Sequence, residues 1–154
     1  MEIITIKSNE YDALLLLWEN SVRATHDFLS DEDIDFLKPI VRNQALPNLI
    51  LKGIRNSEGH IIGFIGIAEQ SVEALFVSPA AFGKGIGKAL MTYAEVEFGT
   101  DKVDVNEQNQ EALGFYKHLG YEITGRSPID GQGRPFPVLH LEKNSSKVHK
   151  EGTL

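Results

Sequence analysis

Three alternating glycines, Gly83, Gly85 and Gly87, have a spacing that points to a ligand. They follow a strand-like run and precede a run with helical periodicity. Glycines let a ligand approach the backbone closely, and the free N–H groups at the start of a helix bind anions. Lys84 and Lys88 add positive charge beside this loop. The segment therefore predicts a phosphate-binding site.

Two common nucleotide-binding motifs do not fit this loop. A nucleotide P-loop would need glycine in place of Phe82 and Ser or Thr in place of Ala89. A dinucleotide fingerprint would need glycine in place of Lys88 or Leu90, depending on where it starts. A small nucleotide-binding domain is thus disfavoured, and a flexible turn before a helix is the alternative without a ligand.

Composition restricts the class of protein further. The 154 residues carry 15 Lys and Arg against 22 Asp and Glu, a formal net charge of −7, which disfavours nucleic acid and suits a cationic partner such as an amine. The absence of cysteine excludes a thiolate zinc site and a cysteine nucleophile, and the histidines show no ligand spacing, so we predict no metal. Without a signal sequence or a membrane-length apolar run, we expect a cytoplasmic protein that binds no membrane.

Hydrophobic periodicity predicts the elements that must position the loop. Their order, β-α-α-β-β-β-α-β-α-β-β, indicates one mixed α/β domain over residues 1–143, and the polar residues 144–154 are expected to be a disordered tail. The predicted strands are residues 2–7, 49–54, 61–68, 72–77, 103–105, 121–124 and 138–141. The predicted helices are residues 11–24, a segment from Ser30 in which Pro39 predicts a kink or an early break, the stretch between Gly87 and Gly99, and residues 111–119.

Two segments of the chain resemble motifs of one enzyme family. Residues 82–87, Phe-Gly-Lys-Gly-Ile-Gly, resemble motif A of the GNAT superfamily of acyl-CoA-dependent N-acyltransferases, whose loop reads Gln/Arg-x-x-Gly-x-Gly/Ala; Phe82 departs from its polar first position. Residues 105–121 resemble motif B, and the likeness covers about residues 2–142. It implies a predominantly antiparallel sheet with splayed central strands and the transfer of an acetyl group from acetyl-CoA to a primary amine by direct attack.

The resemblance also implies where the coenzyme binds. The pantetheine arm would lie between the splayed strands, and the pyrophosphate would lie on the N–H groups of the glycine loop. The implied coenzyme-binding residues are Leu75, Phe76, Val77, Phe82, Gly83, Lys84, Gly85, Ile86, Gly87, Lys88, Asn109 and Tyr116. Capping of the last helix is an equal alternative for Asn109.

Aminolysis of a thioester needs a deprotonated amine and a proton for the leaving thiolate. The family's Phe-Tyr pair implies Tyr116 as the general acid, and a buried core tyrosine is the alternative. Strand alternation places Glu69, Ser71 and Glu73 on one face. Glu73 is the candidate base. Three alternatives remain: the family's base position falls at Ser71, a water chain serves as the base, or Glu73 is only a solvated carboxylate.

The acceptor amine is expected over the first two helices, lined by Trp18, Arg23 and His26. A structural or surface role is the alternative for His26. The resemblance suggests a possible homodimer, and it leaves one competing function, a catalytically silent domain that binds acyl-CoA as a sensor or partner module.

Overall fold

The computed structural model describes residues 1–143; the tail predicted at 144–154 lies outside the described residues. Within residues 1–143, no helix is both long enough and apolar enough to cross a membrane. The strands are β1 (Ile3–Thr5), β2 (Ile50–Arg55), β3 (Ile61–Ala68), β4 (Ser71–Val77), β5 (Lys102–Asn106), β6 (Tyr121–Ser127) and β7 (Val138–Lys143). The helices are α1 (Tyr11–Thr25), α2 (Asp31–Ile40), α3 (Ile86–Phe98) and α4 (Gln110–His118).

The strands form one seven-stranded sheet in the order β1-β2-β3-β4-β5-β7-β6. All neighbouring strands are antiparallel except β4 and β5, which are parallel. The predicted fold class and order of helices and strands are therefore confirmed. The last strand, β7, inserts between β5 and β6, so the chain order and the spatial order differ at this edge.

The parallel pair at the centre of the sheet is very short. The pairing of β4 with β5 covers only Ser71 with Lys102 and Val72 with Val103. Beyond these positions the two strands separate, as the splayed arrangement requires. Strand β4 continues to pair with β3 up to Val77, so its other edge is left with backbone groups that a ligand can satisfy.

Apolar side chains cover both faces of the sheet. On one face, Val103 and Val105 of β5 pack in a core that includes Leu90 of α3. On the other face, Leu14 of α1 packs in a second core with Phe64 of β3. Because side chains alternate along a strand, every second residue of β5 points away from the first core. This leaves room for polar side chains on the α1 face of the sheet.

Helix α2 has a clear start and an irregular end. The Ser30 hydroxyl accepts from the backbone N–H of Asp33, and the Asp33 carboxylate accepts from the backbone N–H of Ser30, a reciprocal cap. Pro39 lies inside α2, which continues to Ile40 and then passes into a wider π turn at Val41–Ala45. Proline lacks the N–H that would bond to the preceding turn.

Candidate active site

The glycine loop has a backbone that only glycine adopts easily. Gly83 has φ 78° and Gly85 has φ 77°, both in the left-handed region. A Cβ atom at either position would meet nothing within 4 Å. The backbone conformation, not crowding by the protein, therefore favours glycine here, and the surface above both residues is open to a ligand.

Gly85 is also the N-cap of α3, so the loop leads directly into exposed N–H groups. The first N–H of the helix with an intrahelical partner is that of Ala89, which donates to the Gly85 carbonyl at 3.0 Å. The preceding N–H groups are free to bind an anion. The side chain of Ile86 is buried in the core, so its contribution to a ligand site is the backbone N–H.

A cavity of about 410 Å³ lies beside this loop, and we name it the loop cavity. Every residue predicted to bind the coenzyme lines it except Lys84, which is exposed on the loop. The loop cavity also contains residues that the sequence did not single out, namely Ser21, Thr25, Ala81, Glu111, Ala112 and Phe115. Of these, Phe115 could have been predicted from the sequence, because it precedes Tyr116 in motif B. Glu111 and Ala112 also lie within motif B, and Ala81 lies beside the glycine loop. Ser21 and Thr25 lie on α1, which only the fold brings to this cavity.

A smaller cavity of about 100 Å³ opens where β4 and β5 separate, and we name it the gap cavity. It shares Tyr116, His26 and Asn109 with the loop cavity, so the two are neighbouring parts of one site. The side chain of Tyr116 is buried, and burial raises the pKa of its phenol above the ordinary value. Among the described residues, its hydroxyl has no hydrogen-bond partner. Tyr116 is thus a protonated, uncommitted donor at the junction of the two cavities.

Glu73 occupies a β-bulge in β4. Gly66 pairs with Ala74, and its neighbour Ile67 pairs with Val72, which leaves Glu73 as the extra residue. A bulge redirects a side chain and interrupts alternation. The exposed Glu73 lines the gap cavity and also a third cavity of about 440 Å³, the α1 cavity, which contains Trp18.

The structure removes one of the three polar residues expected to share one face of this strand. Glu69 does not lie on β4 at all, since it occupies the turn before β4 with φ 55°. Ser71 is the first residue of β4 and pairs with both Ala68 and Lys102. Its neighbour Val72 is buried in the first core, so Ser71 points to the α1 face. The alternation rule fails at Glu69 because the strand begins only at Ser71.

The structure separates the three residues expected at the acceptor site. Trp18 is buried in the core and forms part of the α1 cavity. Arg23 lines none of the three cavities, because its guanidinium pairs with Glu19 at 2.9 Å and Asp31 at 2.6 Å on the surface. His26 lines the loop cavity and the gap cavity.

A chain of hydrogen bonds fixes the tautomer of His26. The Thr25 hydroxyl donates to the Ser21 carbonyl at 2.8 Å, so it accepts from Nδ1–H of His26 at 2.7 Å. Nε2 then carries a lone pair, 3.4 Å from the amide nitrogen of Asn109. Burial lowers the pKa of His26, in agreement with a neutral ring.

Asn109 caps α4, and its predicted contact with the coenzyme stays a prediction. Its side-chain oxygen caps α4 by accepting from the backbone N–H of Ala112 at 3.2 Å. The same side chain lines both the loop cavity and the gap cavity. The cap therefore holds the amide group in place at the wall of the site.

Comparisons with known proteins agree with this geometry. Residues 53–123 match the acetyltransferase (GNAT) domain family. The chain is 39% identical over 135 residues to peptidyl-lysine N-acetyltransferase YjaB of Escherichia coli (strain K12), covering 88% of this chain and 91% of that protein. It is also 34% identical over 116 residues to peptidyl-lysine N-acetyltransferase YiaC of the same organism, covering 75% and 79%.

Solved structures show the same fold. The apo form of YjaB from Escherichia coli has a TM-score of 0.84 at 38% identity, covering 93% of this chain and 97% of that one. PaiA N-acetyltransferase from Thermoplasma acidophilum, solved in complex with coenzyme A, has a TM-score of 0.71 at 20% identity, covering 92% and 98%. The two motifs, the splayed sheet and these relatives together show that the chain belongs to the GNAT acetyltransferase family and is an N-acetyltransferase.

Proposed function

We propose that the protein transfers the acetyl group of acetyl-CoA to the side-chain amine of a lysine in a protein or peptide. The observation that carries this proposal is the position of Tyr116, a buried phenol between the loop cavity and the gap cavity. The names of YjaB and YiaC, both peptidyl-lysine N-acetyltransferases, support the class of acceptor.

The loop cavity fits the coenzyme. The open backbone at Gly83 and Gly85 and the free N–H groups at the start of α3 suit a pyrophosphate, and Lys88 adds a cation at the cavity wall. The unpaired edge of β4 from Leu75 to Val77 suits the amides of the pantetheine arm, which bind as an added strand would.

The α1 cavity fits the side chain of lysine. Its lining is largely apolar and includes Trp18, Phe64 and Phe76. Among the described residues that line it, Glu73 is the one with an ionisable side chain. An aliphatic chain of four carbons with a terminal ammonium matches an apolar wall that ends in a carboxylate.

Each of these groups then has one role in the reaction. Acetyl-CoA supplies an activated acyl carbon; a carbon–nitrogen bond forms as its carbon–sulfur bond breaks. Glu73 takes the proton from the ammonium, directly or through water, and backbone N–H groups of β4 near Leu75 and Val77 stabilise the developing oxyanion. Tyr116 donates its proton to the departing sulfur and regains one from the attacking nitrogen, which becomes the neutral amide.

We extend the proposal to a cytoplasmic enzyme that acts on neither nucleic acid nor membrane, and to a homodimer. The net charge of −7 supports a cationic acceptor over a nucleic acid. Light scattering of the purified protein measures the oligomeric state, and a monomer would contradict the dimer.

Three short peptides test the acceptor class. One has a lysine and an acetylated N-terminus, the second has norleucine in place of lysine and a free N-terminus, and the third has norleucine and an acetylated N-terminus. Release of free thiol from acetyl-CoA is followed for each. We expect turnover with the lysine peptide alone; turnover confined to the free N-terminus would contradict the proposal.

A further inference from the structure

Two carboxylates stand at the point where β4 and β5 separate. Val72 and Val103 form the last paired position of these parallel strands, and Glu73 and Asp104 follow them in the chain. Both acidic residues line the gap cavity. Among the described residues around this cavity, none is a lysine or an arginine. The two carboxylates that line it therefore favour a cation.

Glu73 and Asp104 also lie on the same face of the sheet. The neighbours of Asp104, Val103 and Val105, are buried in the core beneath α3 and α4, so Asp104 points to the α1 face. Glu73 reaches that face at its bulge, where it borders the α1 cavity. A nitrogen entering from the α1 cavity therefore meets Glu73 first and Asp104 across the gap.

A second side chain holds Asp104 in place. His140 lies directly opposite on β7, and its Nδ1–H donates to Oδ1 of Asp104 at 2.7 Å. Its Nε2 lies 2.7 Å from the Ser127 hydroxyl, which can either donate to or accept from the ring. The contact with Asp104 thus survives in both protonation states of His140. The other oxygen of Asp104, Oδ2, has no hydrogen bond with any described residue and is free for a ligand.

We propose that Asp104 binds the ammonium group of the acceptor opposite Glu73 and that His140 is a positioning residue that fixes the carboxylate. This inference rests on the proposed acetyl transfer to an amine. It gives the two carboxylates different tasks: Glu73 takes the proton, and Asp104 accepts a hydrogen bond from the nitrogen and orients it toward the acyl carbon. Acceptors without a cationic amine then gain nothing from Asp104.

The test uses Asp104→Asn in the full chain, because asparagine keeps the shape and loses the charge. We expect the KM for the lysine peptide to rise about tenfold or more, as for a lost hydrogen bond to a charged group, while kcat changes little. The affinity for acetyl-CoA, measured by calorimetry, should stay unchanged. The control is Glu142→Gln, which removes one charge from β7 without touching the gap cavity.

A double-mutant cycle separates positioning from a structural role. His140→Ala should raise the KM in the wild-type background and add little in the Asp104→Asn background, since its effect passes through Asp104. Fully additive effects would overturn the role of His140. An unchanged KM in Asp104→Asn would overturn the role of Asp104.

Peptide binding keeps the inference separate from the proposed function. Calorimetry of the lysine peptide with the enzyme–coenzyme A complex should show weaker binding by Asp104→Asn even if the wild type transferred no acetyl group. Equal binding would contradict the inference alone, whereas absent transfer contradicts the proposed function alone. If Ser127→Ala abolished an acceptor-independent hydrolysis of acetyl-CoA, the cluster would be a hydrolytic triad and the inference would be wrong.

Discussion

Nε2 of His26 lies 3.4 Å from the side-chain nitrogen of Asn109, and this contact joins the end of α1 to the start of α4. Asn109 can donate to His26 because its oxygen is already committed to the cap of α4. The geometry accommodates a neutral ring, since a proton on Nε2 would face the amide hydrogens. The wall shared by the two cavities therefore depends on the protonation state of one histidine.

We expect the protein to lose stability as the pH falls below about 6.5. Burial lowers the pKa of His26 in the folded state, so the unfolded chain takes up this proton first. The contribution of His26 to the free energy of unfolding is fully present above pH 6.5, the pKa of the ring in the unfolded chain. It declines as the pH falls toward the lower pKa of the folded state, with a slope of at most about 1.4 kcal/mol per pH unit. Urea unfolding at pH 7.5 and 5.5 measures it. His26→Gln should show a smaller difference between the two pH values, and an unchanged difference would contradict the assignment.

Tyr116→Phe tests the general acid. The change removes the hydroxyl and keeps the buried ring, so we expect kcat to fall about 10²-fold or more while coenzyme affinity is retained. Thiol release and calorimetry give the two quantities. Tyr11→Phe, on α1 and away from the three cavities, is the control. A loss of affinity without a loss of turnover would show that the phenol only binds.

Gly85→Asp tests the anion site, and Gly59→Asp provides a matched control. Gly59 has φ 87° and, like Gly85, open space around its Cβ position, but it lies in the hairpin turn before β3. Both variants carry similar backbone strain and the same new charge. We expect only Gly85→Asp to abolish binding of acetyl-CoA in calorimetry. Equal affinities in the two variants would place the pyrophosphate elsewhere.

Gly63→Ala tests how tightly α3 packs on the sheet. A Cβ atom there would lie 2.5 Å from Cγ2 of Ile86, the first residue of the helix, so we expect a loss of about 1–3 kcal/mol in unfolding free energy. Gly114→Ala, on α4 with nothing within 4 Å of its Cβ position, should instead stabilise by about 1 kcal/mol. Urea unfolding measures the free energy of unfolding of both variants. An undiminished value for Gly63→Ala would show that α3 does not pack tightly against Gly63.

Local signals account for what the sequence predicted well. The helices and strands follow from side-chain periodicity, the start of α2 from Ser30, and the anion loop from Gly83 and Gly85. Each of these effects acts between residues a few positions apart, and so it can be read along the chain.

By itself, the sequence determined the fold class, the glycine loop and the family, because these reside in short-range patterns and contiguous motifs. Only the tertiary structure decided the bulge at Glu73, the contact of His26 with Asn109 and the pairing of Asp104 with His140. Arg23 lies outside the site because it pairs with Glu19, one turn away on α1, and with Asp31, which the packing of α2 brings to it. Such contacts depend on the register of strands and the docking of helices, which bring together residues that are remote along the chain and carry no local signal of each other.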